Sequence, residues 1–355
     1  MGSKGTCNST WYFFDAAYAL LYLLWRITFL GKSSGQYMIA NEHLIDRIIE
    51  HSGIRSSDTV LELGCGTGSV TTRLLPICRK VYVCESDRVL GHEVVSRVAS
   101  EGYTNMELLA GDAMGVSFPR FDVCISNLPY ALSAPILFKL IQHRPLWRST
   151  MLILQREFTD ALIADPGERN YSRLSMNASV FVRSERVSRI NGSMFYPVPS
   201  VESALVKLVP RNPPPEFNFL EFDKLSKVCF LEKKRMIRNI FDRPSILKQL
   251  EGNYKLYCSF HGKPTDTRPF PKYLGDVLEA SQLAEACARK MPPEAMEHLL
   301  TCLHEAGIFF TNLTSSPVLG RVERGEGEDE KVFQSSIPTH IPLKEESMTP
   351  LPVVS

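Results

Sequence analysis

From residue 41 onward, strand-like and helical segments alternate along the chain. Five short apolar runs predict buried strands, at residues 58–63, 80–84, 106–110, 121–126 and 150–154. Helical spacing recurs between most of them, at residues 67–76, 86–100 and 133–143. A further helix is expected after Asn41, because apolar residues fall at positions 44, 45, 48 and 49. This alternation predicts an α/β fold on a doubly wound sheet, which binds ligands at the carboxyl ends of its strands.

The most hydrophobic stretch, residues 11–30, precedes this region. Asp15 and Arg26 interrupt it, and the uninterrupted apolar run extends only over residues 16–25. A run of about 10–14 apolar residues is more typical of a core helix or an interfacial segment than of a membrane span. We therefore treat residues 1–33 as an N-terminal hydrophobic extension, and membrane association of residues 11–30 as an alternative that we do not favour.

Residues 311–355 show no apolar period and contain an acidic cluster at 323–330. A segment of low hydrophobicity with clustered like charges does not bury enough apolar surface to fold. We expect a disordered acidic tail.

The composition is that of a globular protein, and its basic residues are unevenly distributed along the chain. The 355 residues are 44% hydrophobic, as in a globular protein of about two domains. The net charge of +1 gives no sign of a nucleic-acid partner, yet residues 144–243 hold seventeen Lys and Arg against eleven Asp and Glu. Nine cysteines without a CxxC pair indicate reduced thiols in an intracellular protein, and we expect no metal site.

Three strand ends carry residues suited to an adenosyl cofactor. The first strand runs into a loop containing Gly64, Gly66 and Gly68, where backbone can approach a ligand closely. This G-x-G-x-G spacing differs from the G-x-G-x-x-G of dinucleotide sites. Glu85 ends the second strand, where an acid can accept hydrogen bonds from both ribose hydroxyls, and Asp112 follows the third, within reach of an adenine edge.

The fourth strand leads directly into Asn127, Leu128, Pro129 and Tyr130. The exocyclic amine of a base is a poor nucleophile, because its lone pair is delocalised into the ring. Acceptors at the Asn127 side chain and the Leu128 carbonyl would draw that amine toward tetrahedral geometry, and the Tyr130 ring would stack on the base. Catalysis would then depend on positioning rather than on a strong base. The alternative is an ordinary Pro-containing turn.

The motifs, taken in order, resemble those of the ribosomal RNA adenine dimethyltransferases. The resemblance covers roughly residues 34–310, and its later segments are similar to the eukaryotic small-subunit (18S) branch. The motifs are GQYMI (35–39), LELGCGTG (61–68), CES (84–86), AGDA (110–113), SNLPY (126–130), LQREF (154–158), ADPGERNYSRLSMN (164–177), FYPVPSVES (195–203), VPRNPPPEFNF (209–219) and MPPEAMEHLLTCLHEAGIFF (291–310).

This resemblance implies a Rossmann-like S-adenosylmethionine-dependent methyltransferase domain, residues 34–209, followed by a mostly helical RNA-recognition domain, residues 210–310. It implies methyl transfer to two adjacent adenosines near the 3′ end of 18S rRNA, giving N6,N6-dimethyladenosine, and a role in ribosome biogenesis. The expected partner is small-subunit rRNA or a pre-ribosomal particle. We expect a monomer in the nucleus or nucleolus, with the cytoplasm and the mitochondrion as alternatives.

The resemblance also implies roles for single residues. Phe195 corresponds to an aromatic that stacks on the target adenine opposite Tyr130, with ordinary core packing as the alternative. Tyr37 replaces the commoner Asn or His, and Ile39 keeps an apolar character. The residues expected to contact the cofactor or its reaction centre are Tyr37, Ile39, Gly64, Gly66, Glu85, Asp112 and Asn127.

Two basic groups are candidates for RNA contact. Arg183, Arg186 and Arg189 recur three residues apart, and a second group contains Lys233, Lys234, Arg235 and Arg238. Such patches suit phosphate contacts, although a solvated helix face is the commoner origin of a run of charges.

Two alternatives to catalytic dimethylation remain open. One is an assembly factor that binds pre-rRNA, with methylation secondary. The other is an organellar rRNA dimethyltransferase, suggested by the unusual N-terminal segment alone.

Overall fold

A mixed seven-stranded sheet forms the centre of the protein in its computed structural model, which describes residues 37–311. The predictions for residues 1–33 and for the tail after residue 311 concern residues outside this range. Nine strands are formed within it: β1 (Met38–Ile39), β2 (Thr59–Leu63), β3 (Lys80–Glu85), β4 (Met106–Ala110), β5 (Val123–Ser126), β6 (Ser149–Gln155), β7 (Val182–Ile190), β8 (Phe195–Tyr196) and β9 (Ser203–Pro210).

The α-helices between and after these strands are α1 (Glu42–Ser52), α2 (Thr71–Leu74), α3 (Arg88–Ser100), α4 (Ser133–Gln142), α5 (Arg156–Leu162), α6 (Arg173–Phe181), α7 (Phe219–Phe230), α8 (Ile237–Phe241), α9 (Pro244–Phe260), α10 (Phe270–Ala280) and α11 (Pro293–Glu305). The start of α1 follows from its sequence, because the Asn41 side chain accepts a hydrogen bond from the Leu44 N–H and caps the helix.

The predicted α/β fold is confirmed, and the five predicted strands form its parallel part. The order across the sheet is β4-β3-β2-β5-β6-β9-β7, with β2 to β6 parallel and with β9 and β7 antiparallel to their neighbours. β2 lies between β3 and β5, so the chain changes direction across the sheet at this position. The register places Leu63 beside Ser126, which brings the glycine loop next to the Asn127 loop.

Each face of the sheet is covered by its own apolar cluster. Val60 and Val123 face one side, where they pack with α1 and α3, whereas Leu61 and Cys124 face the other, with α4 and α6. The second cluster continues without a break into α7 and α11. The α-helices after Pro210 therefore share one apolar cluster with this face of the sheet, and α7 and α11 contact α6, which covers it. A domain boundary at residue 209 stays a prediction.

The helix predicted at residues 67–76 is wrong in extent, since only Thr71–Leu74 forms an α-helix. Gly66 and Gly68 have φ angles of 56° and 81°, in the left-handed region, so the chain cannot enter a right-handed helix before residue 70. A one-turn helix has little dipole to offer a ligand. The donors at this loop are therefore its own backbone amides and hydroxyl groups such as those of Thr67 and Ser69, which line the cavity.

The segment with three regularly spaced arginines is the edge strand β7, and no helix forms there. A bulge between Arg186 and Ser188 shifts the alternation of side chains. Arg183 therefore pairs with Val209 on the α1 side of the sheet, whereas Arg186 and Arg189 pair with Val206 and Ala204 on the opposite side.

Within the described range, no helix is both long and apolar enough to cross a membrane. The eight cysteines described there are free thiols, six of them buried. No three His, Cys, Asp or Glu side chains of the described residues form a group that could hold a metal ion.

Candidate active site

A cavity opens at the carboxyl ends of β2, β3, β4 and β5. Most of the residues predicted from the sequence line it, and they lie at or after the ends of these four strands, in β1 and directly before it. Those that the structure brings together on its wall are Tyr37, Ile39, Gly64, Gly66, Glu85, Asp112, Asn127, Leu128 and Pro129.

Gly64 and Gly66 lie where neighbouring segments come into contact with the loop after β2. A Cβ atom on Gly64 would lie 2.9 Å from Leu128 Cδ2 and 3.0 Å from the Asn127 carbonyl oxygen. One on Gly66 would lie 2.4 Å from Met38 Sδ. Both residues have positive φ angles, so glycine is required for conformation and for space. The glycine loop is thus packed directly on the Asn127 loop.

Glu85 projects into the cavity from the end of β3, with only 7% of its surface exposed. Its Oε1 accepts a hydrogen bond of 2.9 Å from the Asp87 N–H, and its Oε2 accepts a longer one of 3.4 Å from the Gly66 N–H. Burial raises the pKa of Glu85, and these two backbone donors oppose that shift. The carboxylate is therefore oriented by the glycine loop, and its oxygens keep lone pairs that can accept a hydrogen bond from a ligand hydroxyl.

Glu62 also lines the cavity, and the sequence analysis did not identify it. It is 2% exposed, and its Oε2 accepts a hydrogen bond of 2.6 Å from the Thr71 hydroxyl. Burial raises its pKa to about 7, and the nearby Glu85 carboxylate adds to that shift. The available signal was an acid in the otherwise apolar run Val60–Leu63, because an isolated charge in a buried strand needs a partner.

Asp112 is exposed at the mouth of the cavity and begins a tight turn. Its Oδ1 accepts a hydrogen bond of 2.9 Å from the Met114 N–H. Its carbonyl oxygen accepts bonds of 2.9 Å from the N–H groups of Gly115 and Val116. The turn thus holds one carboxylate oxygen, and no hydrogen bond from a described residue to the other is found.

The orientation of the Asn127 amide is fixed by the backbone of Tyr37. Asn127 Nδ2 donates a hydrogen bond of 2.9 Å to the Tyr37 carbonyl oxygen. An amide nitrogen can only donate, so Oδ1 is left as an acceptor. Neither Oδ1 nor the Leu128 carbonyl oxygen accepts a hydrogen bond from any residue that the structure describes. Two acceptors are therefore available at consecutive residues.

Tyr130 follows these acceptors and is held by β9, two strands away from β5 in the sheet. Its hydroxyl lies 2.6 Å from Ser203 Oγ, and its ring lies 5.6 Å from the Tyr37 ring at an interplanar angle of 34°. Burial raises the pKa of the Tyr130 hydroxyl. A half-buried ring fixed at its hydroxyl end is suited to stacking on a planar ligand.

Phe195 is in a different environment from the other predicted residues. Only 2% of its surface is exposed, and it packs in the apolar cluster that contains Ile39, Ile153 and Leu205. Its strand, β8, pairs antiparallel with β1, so Phe195 lies opposite Ile39. The burial matches the core-packing alternative for this residue, and its predicted stacking on an adenine stays a prediction.

The basic residues predicted to contact RNA differ in whether their side chains are already paired within the protein. Arg186 pairs with Asp160, Arg235 lies 2.7 Å from Glu232, and Arg238 lies 3.3 Å from Glu285. Lys233 Nζ donates a hydrogen bond of 2.9 Å to the Tyr171 carbonyl oxygen.

Arg183, Arg189 and Lys234 are exposed, and none of their side chains forms an ion pair or a hydrogen bond with another described residue. Arg183 lies on the α1 side of the sheet, whereas Lys234 belongs to the helical part that packs on the other side. Arg183 is therefore separated from the second basic group, whereas Arg186 and Arg189 face the same side of the sheet as that group.

Comparisons with known proteins agree with this geometry. Residues 30–256 match the family model described as ribosomal RNA adenine dimethylase. A Drosophila melanogaster protein named probable dimethyladenosine transferase is 39% identical over 282 residues, which cover 79% of this chain and 92% of the relative. The crystal structure of a dimethyladenosine transferase from Plasmodium falciparum is 40% identical, with a TM-score of 0.75, and covers 77% of this chain and 100% of its own.

The 23S rRNA methyltransferase ErmE shows the fold alone, at 21% identity and a TM-score of 0.54 over 75% of this chain. Sheet, glycine loop and Asn127 loop together define a Rossmann-like methyltransferase. Within that class, the chain belongs to the ribosomal RNA adenine dimethylase family.

Proposed function

We propose that the protein transfers methyl groups from S-adenosylmethionine to the exocyclic amines of two adjacent adenosines near the 3′ end of 18S rRNA. The observation that carries this proposal is the Asn127 amide, whose nitrogen is bound to the Tyr37 carbonyl so that its oxygen remains an acceptor beside the glycine loop. The names of the relatives, dimethyladenosine transferases among them, support the reaction class.

The residues of the cavity fit an adenosyl cofactor. Gly64 and Gly66 line the cavity, and without side chains their backbone can approach a ligand closely. Glu85 offers a carboxylate oxygen to ribose hydroxyls, and Asp112 offers one to the adenine amine. When bound, S-adenosylmethionine supplies a methyl group on a positively charged sulfur.

The acceptors at Asn127 and Leu128 would act on the target adenine. Hydrogen bonds from its amine to Asn127 Oδ1 and to the Leu128 carbonyl oxygen favour pyramidal nitrogen and a localised lone pair. Tyr130 would hold the base by stacking after it has left the RNA stack. These residues orient the amine, and the rate depends on that positioning.

A methylation assay tests this proposal. The full-length protein is incubated with tritiated S-adenosylmethionine and small-subunit particles, and dimethyladenosine is quantified after digestion of the rRNA. Asn127→Ala is expected to lower the rate by at least about 100-fold, the usual effect of removing a key acceptor or donor. Asn239→Ala, at an exposed position on α8, is the matched control and should behave like the wild type. Equal labelling by both variants would refute the role of Asn127.

We further propose that the substrate is a pre-ribosomal particle and that the protein acts in the nucleolus. That the chain belongs to the ribosomal RNA adenine dimethylase family supports an rRNA partner. Imaging of the full chain and of a chain lacking residues 1–33 separates this location from an organellar one. Organellar signal that disappears on truncation would overturn the nucleolar proposal.

A further inference from the structure

Lys139 on α4 binds the turn that carries Asp112. Its Nζ donates hydrogen bonds to the carbonyl oxygens of Ala113, Met114 and Val116, at 2.6, 3.1 and 2.5 Å. The same ammonium lies 4.1 Å from the centroid of the Phe118 ring. An ammonium group has three N–H donors, so all three are used in this one turn.

The backbone of this turn is satisfied from two sides. Its N–H groups at Met114, Gly115 and Val116 bind the side chain or the carbonyl of Asp112. The three carbonyl oxygens converge on Lys139. Without the ammonium, three carbonyl dipoles would point at one another around a half-buried space, which is unfavourable. The closed form of the turn, and with it the direction of the Asp112 carboxylate, therefore depends on Lys139.

The position of Lys139 along the chain also matters. α4 begins at Ser133, directly after the short 3-10 helix Tyr130–Leu132 that follows Asn127 and Leu128. One rigid helix thus carries the acceptor loop at its start and the anchor of the Asp112 turn two turns later. The two ends of the cavity are connected through this helix.

We propose that Lys139 is a positioning residue that sets the Asp112 carboxylate for recognition of the adenine amine of the cofactor. This inference rests on the proposed function, because it requires an adenosyl ligand at Asp112. It goes beyond that function in assigning selectivity for the adenine amino group to a lysine that does not line the cavity.

The test measures selectivity for that amino group, by calorimetric titration of the full-length protein with S-adenosylhomocysteine and with S-inosylhomocysteine, in which a ring carbonyl replaces the amine. Wild type should bind the first about tenfold more tightly, the value of one hydrogen bond to a charged group. In Lys139→Met this ratio should fall toward one, mainly because S-adenosylhomocysteine binds more weakly. Asp112→Ala should lower the ratio equally, and the double variant should lower it no further.

Lys80→Met is the matched control. Lys80 is another lysine above an aromatic ring, 4.4 Å from the Tyr82 centroid, and it pairs with Glu107 away from the cavity. The ratio of the two ligand affinities in Lys80→Met should equal that of the wild type. Lys139→Gln, which keeps part of the donor set, should give an intermediate ratio and serves if the methionine variant does not fold.

Different outcomes contradict different proposals. An unchanged ratio in folded Lys139→Met or Lys139→Gln, or equal weakening of both ligands, would overturn the role of Lys139. A wild-type ratio of one would overturn it too, since Asp112 would then not recognise the amine. Failure of the wild type to bind either ligand would instead remove the adenosyl site, and the proposed function with it.

Discussion

The hydroxyl of Tyr130 lies 2.6 Å from Ser203 Oγ, which joins the loop after β5 to the first residue of β9. Ser203 is 1% exposed and belongs to a strand two positions away in the sheet. The Tyr130 ring is thus anchored to β9, in the antiparallel part of the sheet, and does not depend on its own loop alone.

Removing either hydroxyl should slow methylation. We expect Tyr130→Phe and Ser203→Ala each to lower kcat about fivefold, equivalent to ~1 kcal/mol, with little effect on stability. The double variant should be no slower than the slower single variant, because both lose the same bond. Single-turnover assays measure these rates, and Tyr103→Phe, away from the cavity, is the control. Additive losses would show that the two hydroxyls act separately.

The contact between the glycine loop and the Asn127 loop can be isolated with two glycines of similar conformation. Gly64 and Gly102 have φ angles of 75° and 80°, so alanine at either costs about 1–2 kcal/mol of strain. Only Gly64 has neighbours for the added Cβ, since nothing lies within 4 Å of that atom at Gly102. Gly64→Ala should therefore lose cofactor affinity and methylation as well as stability. Equal activity of the two variants would contradict the packing described for the loops.

Glu62 should make the folded protein less stable as the pH rises, which is the opposite of the trend in acid denaturation. Its pKa is raised to about 7 from an ordinary 4.5, so between these values the folded protein holds a proton that the unfolded chain has lost. The contribution of Glu62 to the free energy of unfolding therefore increases as the pH falls from 8 to 5. Glu62→Gln, which can still bind Thr71, should raise Tm by a few degrees at pH 8 and by less at pH 5.

Thermal melts of the ligand-free protein across this pH range provide the measurement for Glu62. Glu50→Gln, at an exposed position on α1, controls for loss of a surface charge. A gain in Tm that is the same at pH 8 and pH 5 would show that Glu62 does not titrate between them. Its neighbour Glu85, whose pKa is also raised by burial, stays intact in both variants.

The exposed and the paired arginines of β7 should behave differently toward RNA. Arg183→Ala removes a free guanidinium, so RNA affinity should fall and the salt dependence of log K should lose about one unit of slope. Arg186→Ala leaves the Asp160 carboxylate without its partner from β7, so it should mainly lower stability. Filter binding at several salt concentrations and thermal melts separate the two. Equal loss of affinity would show that Arg186 leaves its ion pair when RNA binds.

The sequence allowed prediction of those parts of the site that depend on local pattern. The parallel strands are short apolar runs, and a polar residue directly after such a run lies at the ligand edge of the sheet, as for Glu85, Asp112 and Asn127. The extent of α2 was not predictable in this way. Whether Gly66 and Gly68 adopt a left-handed conformation depends on packing against Met38 and Val94, which are distant in the chain.

Contacts between distant segments were the features that the sequence did not reveal. Lys139 is an ordinary lysine in an amphipathic helix until the turn of residues 111–118 is placed beside it. The spacing of Arg183, Arg186 and Arg189 is typical of a helix, and the bulge that makes it compatible with a strand depends on pairing with β9. Such pairings have no periodic signal within the segment itself.

The bond that orients Asn127 ends on the carbonyl group of residue 37, and every amino acid carries that group. The bond itself is therefore compatible with any residue at position 37, and the Tyr37 side chain contributes separately, through its ring 5.6 Å from that of Tyr130. The contact depends instead on the path of the backbone at residue 37, which the two residue pairs between β1 and β8 maintain. A mutation that disturbs this pairing would misorient Asn127 and lower methylation, even if every side chain that lines the cavity were unchanged.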